Sequence, residues 1–188
     1  CNLEELNTKV PTRTEKLKQA FNEWKIPIVA FATALILFKF VFLLAFIPTS
    51  SMYPTLPSPC YSISIRAAYW FNDPVRGDIV LFRRDNGDKT IFAKRLVGIP
   101  GDTIEIKHGI TYINGEVFEE DYLKETPDDE NYGPFQIPEG CYFMMGDNRN
   151  HSYDSRKWNE HFVPRKNILS KIYYSISLEE FVSDQQQE

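Results

Sequence analysis

A chain of 188 residues leaves room for one domain, or for one domain with a membrane anchor. Hydrophobic residues at 43% and aromatics at 14% are enough for a packed core, which excludes wholesale disorder. A net charge of −5 with dispersed basic residues argues against nucleic-acid binding, and three cysteines lacking C-x-x-C spacing make neither a disulfide scaffold nor a zinc site.

The first element is apolar. Ile26 to Ile47 carries a single charge, Lys39, across 22 residues, and a membrane-spanning helix needs about 20. One option is a helix over the whole run. The preferred one is a helix over 21–39, with Lys39 reaching the far interface and Phe40–Ile47 forming the first strand of a folded domain. Residues 1–20 then form a short arm and 40–188 the domain. The arm and the start of the helix hold five of the basic residues (Lys9, Arg13, Lys16, Lys18, Lys25), which keeps that side cytoplasmic and sends 40–188 across the membrane. Trp24 is an interfacial anchor. A cleaved leader is the competing reading, but the apolar run is too long and no A-x-A-like site follows it.

Beyond Pro48 short strands are expected at Tyr61–Ile65, Asp78–Phe82, Thr90–Ile99, Thr103–Lys107, Ile110–Phe118, Cys141–Met145 and Lys171–Ser177. Asn114-Gly115 marks a hairpin turn. Residues 119–139 are acidic and proline-bearing, and are expected to be a surface excursion. The fold class is therefore mainly β, an antiparallel barrel or set of sheets after a single transmembrane helix.

Four segments are dense in reactive groups. Pro48–Leu56 places serines on a proline-stiffened turn, which gives a nucleophile a fixed direction. Arg76–Phe82 is a turn entering a strand and has a purely structural explanation. Phe92–Asp102 holds Lys94 and Arg95 side by side, so in a strand one of them faces the core or a cleft. A buried lysine loses proton affinity, which makes it a usable base. Met144–Arg156 is too polar for a core. Its Asp147, His151 and Asp154 lack metal-ligand spacing, and Arg149 and Arg156 are natural partners for the acids, so no metal or other cofactor is expected. A catalytic His151 stays open as a minor alternative.

In this order, behind an N-terminal anchor, the four segments resemble the type I signal peptidases, membrane-bound Ser-Lys proteases that release secreted proteins from their leader peptides. Ser51–Leu56, Arg76–Phe82, Lys94–Asp102 and Gly146–Arg156 resemble that family's boxes, within a likeness over about residues 24–177. The resemblance implies Ser51 as nucleophile, Lys94 as general base and Ser152 as the hydroxyl that orients the lysine. It implies an oxyanion site from the Ser51 N–H and Thr49, where the family more often has serine or glycine. Arg95, Asp147, Asp154 and Arg156 would brace the site as ion pairs. Ile47, Met52, Leu56, Phe92 and Ala93 would line shallow pockets for small residues at −1 and −3 of a preprotein, bound as an added strand. The bilayer and secretory preproteins are the implied partners, and the single anchor resembles the Gram-positive or cyanobacterial pattern. The accessory β region, within 103–143, is expected to be reduced. Two alternatives stay open: a related Ser-Lys protease that processes a pilus or conjugation precursor, and a non-catalytic peptide-binding relative.

Overall fold

A computed structural model describes residues 12–84, 87 and 90–178, in two compact units that meet between Phe40 and Val41. Of the arm expected over residues 1–20, positions 1–11 lie outside the described residues, and the part from Arg13 onward belongs to the helix described next.

The first unit is helical. Helix α1 runs Arg13–Val41 without a break, through Pro27, so it begins well before the apolar run and ends two residues beyond Lys39. Its Phe21–Val41 part has a mean hydropathy of 1.8, with none of it buried. That is long and apolar enough to cross a membrane by length and composition.

The second unit is almost entirely antiparallel β. Strand β1 (Phe42–Ile47) starts two residues later than the sequence suggests, because α1 continues to Val41. It is followed by β2 (Cys60–Ile65), β3 (Ile79–Arg83) and β4 (Ile91–Gly98). Next come β5 (Thr103–Lys107), β6 (Ile110–Ile113) and β7 (Glu116–Val117). Then follow β8 (Tyr132–Gln136), β9 (Cys141–Met145), β10 (Val163–Pro164) and β11 (Ile168–Ser177). Seven strands form one sheet in the order β1-β2-β11-β3-β4-β9-β10, and four form a smaller sheet, β7-β6-β5-β8. The large sheet curls, bringing β1 and β4 to opposite walls of one cleft although three strands separate them in the order.

The β6–β7 turn is Asn114-Gly115, both with positive φ (55° and 87°), the backbone that a tight hairpin requires. Three apolar clusters form the core. Val80, Phe82, Leu96, Met144 and Trp158 fill one, while Val97, Ile104, Ile137 and Phe143 help join the two sheets. The third gathers Ile47, Met52, Leu56, Cys60, Leu81 and Ile172 beneath the cleft. Cys60 and Cys141 are both free thiols.

The excursion at 119–139 is more ordered than its composition suggests. Strand β8 lies inside it and, among the described residues, pairs only with β5 as a sheet edge, the position where a strand tolerates proline.

Candidate active site

Strand β1 ends at Ile47, and Pro48 turns the chain into a short 3₁₀ turn, Ser50–Met52. Met52 plugs this turn into the core with no exposed surface, and the Tyr53 N–H closes it onto the Ser50 carbonyl at 3.0 Å. The Ser51 side chain is thereby held at the base of the cleft.

Lys94 comes from β4, which pairs with β3 at Val80. Of the Lys94-Arg95 pair, the lysine is the one that goes inside: it is 4% exposed, and its Nζ donates to Ser51 Oγ at 2.5 Å. Burial pushes its pKa down from 10.5 to about 8. Asp154 and Asp147 pull it back up and Arg156 pushes it further down, but loss of water is the largest cause. Thr49 Oγ1 lies 3.4 Å from Ser51 Oγ on the exposed side of the turn.

Around this pair the charges are matched. Arg95 grips Asp147 through both carboxylate oxygens, at 2.8 and 2.6 Å, and Thr55 Oγ1 donates to the same carboxylate at 2.5 Å. Arg156 holds Asp154 in the same two-pronged way, at 2.8 and 2.9 Å, and the Gly146 N–H donates to Asp154 at 2.9 Å. Burial works to raise the Asp154 pKa, but the Arg156 guanidinium and the Gly146 N–H outweigh it and hold the carboxyl below its usual range. Both carboxylates are thus committed to guanidiniums rather than to a metal. His151 is exposed, with its ring nitrogen 3.2 Å from the Asn148 side chain.

The cleft has a volume of about 330 Å³ and reaches both Ser51 and Lys94. Ala45 and Ile47 line one wall, Ile91, Phe92 and Ala93 the other, and Leu81 also faces it. Met52 and Leu56 were expected on these walls, but they belong to the core cluster beneath, 0% and 4% exposed. Their apolar character serves to seat the serine turn. Among the described residues no strand pairs with the outer edge of Ala45–Ile47, and β9 joins β4 only from Arg95 onward, so Ile91–Lys94 also presents an unpaired edge.

A family model described as "Signal peptidase, peptidase S26" matches residues 21–176. A probable signal peptidase I-2 of Synechocystis is 35% identical over 89% of this chain and 81% of its own length. This chain belongs to the signal peptidase family. It is accordingly a serine endopeptidase. Signal peptidase I of Bacillus amyloliquefaciens is 37% identical over 78% of this chain and 82% of its own. Signal peptidase I S of Bacillus subtilis is 37% identical over 74% and 80%. A solved signal peptidase I of Enterococcus faecalis aligns over 54% of this chain and 98% of its own, at 33% identity and a TM-score of 0.46.

One contact implied for a signal peptidase is not formed. The Ser152 hydroxyl is buried and, among the described residues, has no hydrogen-bond partner of ordinary geometry; its electrostatic partner is the Asp154 carboxylate, whose pKa it helps to lower, rather than Lys94. The hydroxyl packs on Gly146, where any added Cβ would sit 2.2 Å from it and 2.5 Å from the Ser51 carbonyl oxygen. Gly146 is therefore required to be glycine by this close approach. Sequence reasoning also missed Asn148, whose N–H donates to the Ser51 carbonyl and whose side chain donates to the Ser50 carbonyl, both at 3.1 Å. Asn148 lies inside the fourth segment, and that position was its only signal. Thr55 was missed in the same way, whereas Arg149, expected to pair with an acid of its own segment, pairs with Glu120 instead.

Proposed function

We propose that this chain is a membrane-bound serine endopeptidase that removes N-terminal signal peptides from secreted preproteins, with Ser51 as nucleophile and Lys94 as general base. The observation that carries this reading is a dry lysine whose Nζ is 2.5 Å from the Ser51 hydroxyl. With a pKa near 8, about a tenth of the amine is neutral at pH 7.

The neutral amine takes the Ser51 proton as Oγ attacks the scissile carbonyl. The developing oxyanion is met by the Ser51 N–H and the Thr49 hydroxyl. The Lys94 ammonium then returns the proton to the leaving amine, and the tetrahedral centre collapses to an acyl-enzyme. A water, deprotonated by the same amine, releases the acyl group and restores Ser51.

The leader enters as a strand between the unpaired edges of Ala45–Ile47 and Ile91–Lys94. Small side chains at −1 and −3 suit the walls built from Ala45, Ile47 and Ala93. The Phe21–Val41 part of α1 crosses the bilayer, with the N-terminus cytoplasmic and residues 42–188 outside. The deciding experiment uses the full chain in detergent with a preprotein carrying a small-x-small site. Ser51→Ala and Lys94→Ala should each lower cleavage by about 10⁴-fold or more while the fold survives. Undiminished cleavage by either variant would overturn the assignment.

A further inference from the structure

The serine turn is held from behind by the stretch Gly146–Arg149, and each part of that stretch is itself held. Asn148 binds the Ser50 and Ser51 carbonyls directly. On one side of Asn148, Asp147 is gripped by Arg95. On the other, Arg149 is 3% exposed, and its Nε donates to the Gly146 carbonyl at 3.1 Å. A guanidinium this deeply buried requires an anion. The anion comes from outside all four motif segments. Glu120, in the acidic excursion, takes both terminal nitrogens of Arg149, with Nη1 at 2.6 Å.

Two residues further on, Tyr122 reaches the opposite flank. Its ring lies under the Arg95 guanidinium, 3.9 Å from the ring centre, and its hydroxyl donates to Glu120 at 2.5 Å. One short piece of the excursion thus touches both arginines that flank Asn148. It touches neither wall of the cleft, since the walls come from β1 and β4 together with Leu81.

We infer that Glu120 is a positioning residue for the reaction: acting through Arg149 and Asn148, and joined to Arg95 by Tyr122, it fixes the turn that aims Ser51 at Lys94. Loss of the carboxylate leaves a buried guanidinium without its anion, so Arg149 swings toward water and releases the Gly146 carbonyl. The serine turn then loses its backing while the substrate groove keeps its shape. A misplacement of about 1 Å at a reacting atom costs on the order of 10²-fold in rate.

This inference rests on Ser51 being the nucleophile, and the test separates the two. Steady-state cleavage of a small-x-small peptide is measured for the full-length wild type, Ser51→Ala, Glu120→Ala, Glu120→Gln and Tyr122→Phe. Rates are taken per folded enzyme, below each variant's melting temperature. Glu120→Ala should lower kcat by about 10- to 100-fold with KM within about twofold. Glu120→Gln, which keeps an acceptor for Arg149, should recover part of that loss. Tyr122→Phe, which keeps the ring under Arg95, should lose only a few-fold. The acid-side pKa of kcat/KM should stay in place, because the carboxylates nearest Lys94 are untouched. If Glu120→Ala does not fold, the Gln and Phe variants carry the test by the same split. An unchanged kcat in the folded Glu120 variants, or a rise in KM alone, would overturn the positioning role. Activity surviving in Ser51→Ala would instead overturn the nucleophile.

Discussion

Keeping Lys94 dry is unfavourable for the folded chain, and the sign of that effect follows from its pKa. The unfolded lysine titrates near 10.5 and the folded one near 8, so between those values the unfolded state binds more protons. Stability contributed by this group therefore rises as pH climbs from about 8 to 10.5, and below 8 the full penalty is present. A shift of that size corresponds to about 3 kcal/mol. Lys94→Met keeps most of the volume and removes the charge, so it should abolish cleavage yet raise stability at pH 7 by up to about 3 kcal/mol. The gain should fade toward pH 10.5. Denaturant unfolding at the two pH values checks this, and a variant less stable than wild type at pH 7 would contradict it. The neighbouring ion pairs work the other way. Asp154 and Arg156 are both buried, so truncating either one leaves the other as an uncompensated charge, which typically costs about 3–5 kcal/mol.

At the scale of elements, the site is a turn that follows one edge strand, set against the unpaired half of another strand. Met52 and Leu56 anchor the turn below, and Asn148 holds it from behind. What remains open is the groove between β1 and β4. Ala93 lines it and packs lightly against the core cluster beneath. Ala93→Phe should fill the groove and lower kcat/KM by at least about tenfold, chiefly through KM, with the melting temperature nearly unchanged. A variant with unchanged KM would place the substrate elsewhere. Most of the strands were legible because their residues alternate or are β-branched between clear turns, as in Tyr61–Ile65 and Thr103–Lys107. Strand β8 was not, because Gly133 and Pro134 mark a turn by composition, and only pairing with β5 makes Tyr132–Gln136 extended. The end of α1 was misplaced by two residues because Phe40 and Val41 suit a strand as well as an apolar helix.

For the molecule as a whole, the mainly β architecture was legible in the run of short strands, and the candidate site only through its resemblance to a family. Ser51 and Lys94 could be singled out only through the resemblance, because serine-bearing turns and strand lysines are common, and 43 positions separate the two. What the sequence could not show is which side chains close the brace. The Glu120–Arg149 pair spans 29 positions and joins an acidic excursion to a motif, and nothing in local pattern distinguishes Glu120 from its acidic neighbours. The missing Ser152 contact is equally tertiary, since it depends on how closely Gly146 lets two segments approach. The most direct test of the chemistry is the pH dependence of kcat/KM for the full-length enzyme on one small-x-small peptide. The account requires a rate that falls about tenfold for each pH unit below an apparent pKa near 8 and levels off above it. A profile that stays flat from pH 6 to pH 9 would mean that Lys94 is not the base.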